Sequence, residues 1–424
     1  MRSKKTKLGT MCEFKRIAII GLILSVCSIY VIASPVVAQI GRLGLNPEYP
    51  TIYPIMVNTP DYILINKVEI TVDKANKKAM LSFETATPTA PGIVYYGLYI
   101  PQSTVWIPQF HLKSREQSPA ESPHAIEIDL SNFEKPDWDI CNFKEKGALI
   151  CYRLQLQTTA SDAPVYYYGR FRVDQNYNQL PCVIEGPFVD LVKTNSATIS
   201  FKTDIPTIAA VVVKGKMYTN DKISERHEIP IRKLSPSTYY DYYLVLNGEK
   251  DPRKYRFKTA PGMDHPRFKF AVMSDGRGGI QCGEIGAAGG VNYDTTSKLL
   301  IDSYNRGAEF AVFGGDLING YTTNEDDYRV QLEAWKDASE LVGGILPIYE
   351  VIGNHEALEN AYNDGSPYGI SFDKVDNGTQ KSAETVFAEE FVNPTGSFPE
   401  KENTKAPSYS ENAGLKSINS LLVN

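Results

Sequence analysis

At 424 residues the chain is too long for one ordinary domain, and two or three are expected. Hydrophobic residues make up 42% and charged residues 22% without any low-complexity tract, which excludes a disordered or collagen-like chain. A formal net charge of −6 argues against nucleic acid as a partner, because binding a polyanion needs a basic face.

The first segment, 1–38, reads as a targeting signal. Arg2, Lys4, Lys5, Lys7, Lys15 and Arg16 precede an apolar, charge-free run over 17–33, and Ser34-Pro35-Val36-Val37-Ala38 offers small or modest residues for a cut after Ala38. Two readings stay open: a cleaved signal peptide, or an N-terminal membrane anchor, since the run is long for a signal core and marginal for a span. Val26 is bulky where lipoprotein processing at Cys27 would need a small residue. Under either reading the rest of the chain is exported (secreted, periplasmic or cell-surface) and meets a membrane only through this segment.

Residues 45–175 alternate apolar with polar and are rich in β-branched and aromatic side chains, as in Lys67-Val68-Glu69-Ile70-Thr71-Val72 and Ala79-Met80-Leu81-Ser82-Phe83-Glu84-Thr85. The pattern predicts a β-sandwich, and the 26 tyrosines of the chain suit such surfaces. Cys141 and Cys151 flank a predicted turn over 142–147, which puts them within reach of a disulfide in an oxidising compartment. Cys182 and Cys282 fall in different modules and are expected to be free thiols.

Residues 181–262 predict a second sandwich. Ser196-Ala197-Thr198-Ile199-Ser200-Phe201-Lys202-Thr203, the corner Leu234-Ser235-Pro236-Ser237-Thr238-Tyr239-Tyr240-Asp241-Tyr242 and the exit Arg256-Phe257-Lys258-Thr259-Ala260-Pro261 resemble a fibronectin type III module of the kind that precedes the catalytic domain of purple acid phosphatases. The resemblance makes Tyr240 a corner tyrosine whose hydroxyl returns to the backbone. The first module echoes the second: Leu81-Ser82-Phe83-Glu84-Thr85 parallels Ile199-Ser200-Phe201-Lys202-Thr203.

From 266 to 424 the pattern changes. Apolar runs at 268–273, 310–313 and 348–352 predict strands, and the stretches 294–306 and 325–341 predict helices. Leu299, Leu300 and Tyr304 would line one side of the first helix, and Tyr328, Leu332, Trp335 and Leu341 would form the stripe of the second. The alternation demands a parallel sheet, a βαβαβ unit, so the whole chain reads as multidomain: two all-β sandwich modules followed by a partial α/β domain.

Each predicted strand of that last region ends in a polar phrase: Ser274-Asp275-Gly276-Arg277, Gly314-Gly315-Asp316-Leu317-Ile318-Asn319 and Gly353-Asn354-His355-Glu356. Alone, an aspartate after a strand is more often a cap or turn residue than a metal ligand. In this order and spacing the phrases resemble those of the calcineurin-like metallophosphoesterases, purple acid phosphatases included. The resemblance implies hydrolysis of a phosphate mono- or diester by water activated at two divalent metal ions (Mn, Fe, Zn or Mg). It makes Asp275 a ligand of one metal, Asp316 the bridging carboxylate and Asn354 a ligand of the other. His355 would act at the ester oxygen as acid or charge stabiliser, with Glu356 orienting it.

Two departures accompany the likeness. Arg277 stands where the family usually has a histidine; a guanidinium cannot ligate, so it either binds a phosphate oxygen or is a surface residue salt-bridged nearby. The family closes its site with later histidines, commonly in a Gly-His-x-His phrase, but no histidine follows His355, and His111, His124, His227 and His265 lie upstream. Asp275, Asp316 and Asn354 alone suit a weak Mg²⁺ or Ca²⁺ site rather than a tight pair of transition metals. No tyrosine matches the iron ligand of the purple enzymes, and the half sheet ending near 424 predicts an open edge and an uncovered apolar face. The glycine-rich stretch 276–290, with Cys282 inside it, lacks a P-loop ending and reads as a flap over the pocket or a surface loop. A second function class stays open: a non-catalytic exported protein whose sandwiches bind a cell-surface ligand and whose phosphoesterase part is a remnant.

Overall fold

The computed structural model of the chain describes residues 68–85, 88–101, 106–117, 123–139, 141–158, 164–262, 267–278, 290–320, 325–357 and 383–392. The segment 1–38, His265, Cys282 and the stretch beyond 392 lie outside the described residues. All the described residues belong to one compact unit, Pro60–Asn424. Among them no helix is long and apolar enough to cross a membrane.

Two antiparallel sheets build the first region. Glu69–Asp73, Lys78–Phe83 and His124–Asp129 form one. The other centres on Ile93–Pro101, paired with Ala148–Leu156, which pairs in turn with Val165–Val173. Period-two alternation sends Ala79, Leu81 and Phe83 inward from the first sheet to meet Val94, Leu98, Ile150 and Leu154 of the second in one buried core.

The expected disulfide is not there: Cys141 and Cys151 are free. The stretch between them is a one-turn helix, Phe143–Lys146, and each thiol turns to a backbone carbonyl instead, Cys141 to Tyr99 and Cys151 to Gly97. Burial pushes the Cys151 thiol up to about 12. Cys182 is a free, buried thiol, as expected.

The second region is a six-stranded antiparallel assembly whose long ribbon, Ser196–Val213 with Lys216–Arg232, changes partners midway. Its register slips between Lys202 and Thr207, around Pro206; before the slip Ser196–Val213 pairs with Val183–Asp190, and after it with Tyr239–Leu246. A bulge of this kind bends a strand, which lets one ribbon serve both walls of a core built on Ile199, Phe201, Val211, Ile229, Tyr242 and Leu244. Tyr240 behaves as expected, its hydroxyl accepting from the Ser235 N–H at 2.7 Å.

In the third region Phe270–Met273, Phe310–Phe313 and Ile348–Glu350 pair in parallel, in that order. The helix Tyr293–Asn305 connects the first pair and Glu325–Gly343 the second, while Ala383–Glu390 packs near the latter. Asn292 caps the first helix by accepting from the Thr295 N–H at 3.2 Å. The stripe of the long helix is Tyr328, Leu332, Trp335, Ala338 and Val342; the expected Leu341 is only half-buried, because the helix packs along the 338/342 row. Leu299 was expected inside with Leu300 but is 49% exposed. Phe270 and Val272 of the outer strand, and Phe268 just before it, are also more than half exposed.

The long helix ties the regions together. Arg170 of the first sandwich makes a bidentate pair with Glu340, Lys336 reaches Glu185 at 2.9 Å, and Lys202 reaches Glu333 at 2.6 Å. The Tyr242 hydroxyl donates to the Gly344 carbonyl at 2.8 Å. The buried pairs Arg170–Glu340 and Lys336–Glu185 hold one relative placement, since losing either member strands a charge.

Candidate functional site

Parallel pairing brings all three strand-end phrases to one edge of the sheet, the place where open α/β sheets put ligands. Hydrogen bonds knit the first two together: Asp275 N–H donates to the Gly315 carbonyl at 3.1 Å, and Arg277 N–H to the Asp316 carbonyl at 3.2 Å. The third phrase joins through His355 N–H, which lies 3.4 Å from Asp316 Oδ1. The sheet thus gathers the residues of all three phrases.

Both aspartates adopt left-handed backbone, φ 57° at Asp275 and 55° at Asp316. That conformation costs an ordinary residue about 1–2 kcal/mol, and such outliers persist where the surroundings over-determine them. Two glycines make the close approach feasible. A Cβ on Gly315, itself at φ 96°, would lie 2.7 Å from Gly353 Cα, and one on Gly353 would lie 2.4 Å from both Asp316 N and Oδ1. The glycines of Gly-Asp and Gly-Asn-His therefore exist because two loops touch backbone to backbone.

Glu356 does something other than the sequence suggested. Its hydrogen-bond partners are backbone N–H groups rather than the imidazole of His355. Its fully buried carboxylate accepts from Gly353 N–H and Asp316 N–H, both at 2.8 Å, and from Ile318 N–H at 3.1 Å. Burial pushes this group up to about 7, against the three N–H donors that favour the anion. The residue pins the Asp316 loop to the 353–356 turn.

His355 is oriented by a main-chain group that sequence reasoning missed. Its Nδ1 lies 2.6 Å from the Asn319 carbonyl, which can only accept, so Nδ1 carries the proton. Nε2 then lies 4.0 Å from Asp316 Oδ2. Burial, and next the charge of Arg277, hold the imidazole below its ordinary pKa, so the neutral ring prevails at neutral pH. Tyr328 and Gln331 also support these loops: the Tyr328 hydroxyl donates to the Glu356 carbonyl at 2.8 Å, and Gln331 brackets Gly320 at 2.9 and 3.0 Å. A glutamine on the apolar stripe of a helix was the available signal for the second; no local pattern announces a carbonyl.

Asp275 and Asn354 are exposed, and Asp316 is half-buried. Ser274 Oγ donates to Asp275 Oδ2 at 2.6 Å. Among the described residues no three His, Cys, Asp or Glu side chains gather where they could hold a metal ion. The described donors are two carboxylates and one amide, all hard oxygens, with His355 turned to Asn319. Hard oxygens are the donor type that suits a hydrated hard cation rather than tightly held transition metals.

The remaining described histidines are spent elsewhere. His124 sits between Thr85 at 2.8 Å and Glu116 at 3.3 Å, His227 beside Thr207 at 3.1 Å, and His111 stacks on Trp138.

No protein-family model matches the chain, and no curated protein sequence matches it. Among solved structures, a purple acid phosphatase from yellow lupin (Lupinus luteus) seeds is similar at 13% identity and a TM-score of 0.37, over 76% of this chain and 60% of that one. PhoD is similar at 16% identity and 0.30, over 41% of this chain and 39% of its own. The central fibronectin-III array of RIM-binding protein follows at 13% and 0.20, over 48% of this chain and 63% of that one. This chain thus spans less than two thirds of the lupin enzyme and of PhoD.

Proposed function

We propose that this chain is an exported phosphoester hydrolase of the calcineurin-like metallophosphoesterase type, with two β-sandwich modules preceding a βαβαβ catalytic layer. The observation that carries the reading is the convergence of Asp275, Asp316, Asn354 and His355 at adjacent ends of parallel strands, with both aspartates in left-handed backbone. Export rests on the basic-then-apolar pattern of 1–38, retained as an anchor or removed as a signal.

Asp275, Asp316 and Asn354 would hold one hard divalent cation. When bound, such a cation supplies a low-pKa water and neutralises phosphate charge. The chain's own groups do the rest. Arg277 offers its guanidinium to a phosphate oxygen. His355, with Nδ1–H held by the Asn319 carbonyl, presents Nε2 as the atom at which a proton is taken up or returned. Glu356 keeps the Asp316 loop and the His355 turn at fixed separation through its three N–H bonds.

The test is hydrolysis of para-nitrophenyl phosphate and its bis ester by the full chain, with Mg²⁺ or Mn²⁺ and then with EDTA. Chelation should abolish turnover, and Asp316→Asn and His355→Ala should each lower kcat/KM by about a hundredfold or more. Activity that survives both substitutions would sink the assignment. A second reading, a non-catalytic exported protein that binds a cell-surface ligand through its sandwiches, is favoured by the incomplete donor set of the described residues. Absence of hydrolysis with any divalent ion, together with specific cell-surface binding by the intact chain, would favour it.

A further inference from the structure

The long helix Glu325–Gly343 reaches the strand-end site through one buried amide, that of Gln331. Its carboxamide meets both main-chain groups of Gly320. Gly320 N–H donates to Oε1 at 2.9 Å, and Nε2 donates to the Gly320 carbonyl at 3.0 Å. An N–H can only donate and a carbonyl can only accept, so this pair of bonds fixes which way round the amide lies.

Gly320 N–H and the Asn319 carbonyl belong to one peptide unit. In a planar trans peptide the two point in opposite directions. Gln331 grips the N–H side, and His355 Nδ1 lies 2.6 Å from the carbonyl side. The imidazole is thus joined to the helix by the chain Nδ1–H···O=C–N–H···Oε1, and hydrogen bonds in such a chain polarise one another.

Without that grip the peptide has a second orientation open to it. Gly320 stands at φ 67°, and a glycine accepts φ of either sign. A half turn of the Asn319–Gly320 peptide would present an N–H to His355 in place of a carbonyl. Nδ1 would then have to accept, and the ring proton would sit on Nε2, the nitrogen 4.0 Å from Asp316 Oδ2. The bond from Asn319 N–H to the Gly290 carbonyl, at 2.8 Å, belongs to the preceding peptide and does not oppose this rotation. Gly290, at φ 78°, keeps room for the amide: a Cβ there would lie 2.6 Å from Gln331 Oε1.

We infer that Gln331 is a positioning residue that sets the tautomer of His355, by locking the Asn319–Gly320 peptide with its carbonyl toward Nδ1. The imidazole then keeps its proton on Nδ1 and leaves Nε2 bare. The consequence for turnover rests on the phosphoesterase reading, in which Nε2 takes up or returns a proton; the tautomer itself does not.

The experiment is long-range proton–nitrogen NMR of the full chain carrying isotope-labelled histidine, at a pH well above the ordinary imidazole pKa. The His355 signals are identified by their loss in His355→Gln. The native chain should show the Nδ1–H tautomer. Gln331→Met keeps the side-chain length, removes both bonds to Gly320, and should raise the Nε2–H fraction at least about tenfold. Gln331→Glu keeps an acceptor for Gly320 N–H and should retain the native spectrum. Gly290→Ala, which crowds Oε1 without touching the amide's chemistry, should move the signal as Gln331→Met does and keeps the test decisive if that variant fails to fold. In para-nitrophenyl phosphate hydrolysis Gln331→Met should lower kcat about tenfold with KM within about twofold. An Nε2–H tautomer in the native chain, an unaltered His355 spectrum in the variants, or the same change in Gln331→Glu as in Gln331→Met would overturn the inference. Expected spectra beside a native chain without hydrolysis would sink the phosphoesterase reading alone; unaltered spectra beside an active native chain would sink this inference alone.

Discussion

The antiparallel modules and the parallel layer bury histidine in opposite ways. In the first sandwich His124 lies directly across the strands from Phe83, stacks on it at 4.9 Å and meets the Thr85 hydroxyl. In the second, His227 lies across from Phe201, stacks at the same 4.9 Å and meets Thr207. These are side chains stacked and hydrogen-bonded through Nε2 inside a core, at matching places in two modules whose sequences echo each other. His355 is buried too, but beyond a strand's end; one ring nitrogen is tied to a main-chain carbonyl and the other is directed toward Asp316. Burial alone therefore does not separate a histidine packed in a sandwich core from one set at the strand ends. What separates them is whether the partners come from the core or from converging loops.

The largest way to break this contrast is to remove the clamp behind His355. Glu356→Ala would leave the N–H groups of Gly353, Asp316 and Ile318 without their buried acceptor. A loss of about 3 kcal/mol or more is expected, together with loss of hydrolysis, checked by urea denaturation and by turnover of the para-nitrophenyl ester. Unchanged stability would mean that the loops hold their places without the carboxylate.

The junction between the second sandwich and the parallel layer gives a pH signature. Burial pushes Asp190 up to about 7, partly opposed by the hydrogen bond that Ser200 Oγ donates at 2.6 Å. A raised acid pKa gives stabilisation that is complete below the unfolded value near 4 and is lost as pH rises through about 7. Glu390 works the other way: burial would raise it, but the charge and hydrogen bond of Lys336 with the charges of Arg226 and Lys202 together outweigh that and hold it down to about 2, so its contribution is present above the usual glutamate range and lost as pH falls through 2. The unfolding free energy should therefore decline from pH 5 to pH 8, with a slope of at most about 1.4 kcal/mol per pH unit for each such proton, and the melting temperature with it. Asp190→Asn should make that decline shallower while leaving the share of Glu356, which burial also pushes up to about 7, and an unaltered slope in the variant would assign the decline to Glu356 or another group.

The smallest expected effect sharpens the comparison from the structural side. Thr207→Val removes the hydroxyl partner of His227 at similar volume and should cost about 1 kcal/mol, measured by denaturation, with no change in hydrolysis. A fall in turnover in this variant would show that the sandwich histidine is coupled to the strand-end site.

Much of the fold was legible because its signals are local. Alternation over 78–83 and the helical stripe from Tyr328 to Trp335 repeat within a few residues, so pattern alone places them. The strand-end phrases were legible for the same reason, each being a short string after an apolar run. Where local pattern is indifferent to the partner it misled: Leu299 and Leu300 read alike but only Leu300 meets the sheet, and Cys141 and Cys151 lie near in sequence but turn to different carbonyls. The clamp of Glu356 on Asp316, 40 residues earlier, and the grip of the Asn319 carbonyl on His355 depend on segments distant along the chain. Sequence by itself determined which residues could do chemistry, because residue type and spacing carry that information. Only the tertiary structure decided which of them meet, because hydrogen bonds form over distances of about 3 Å that no spacing along the chain encodes.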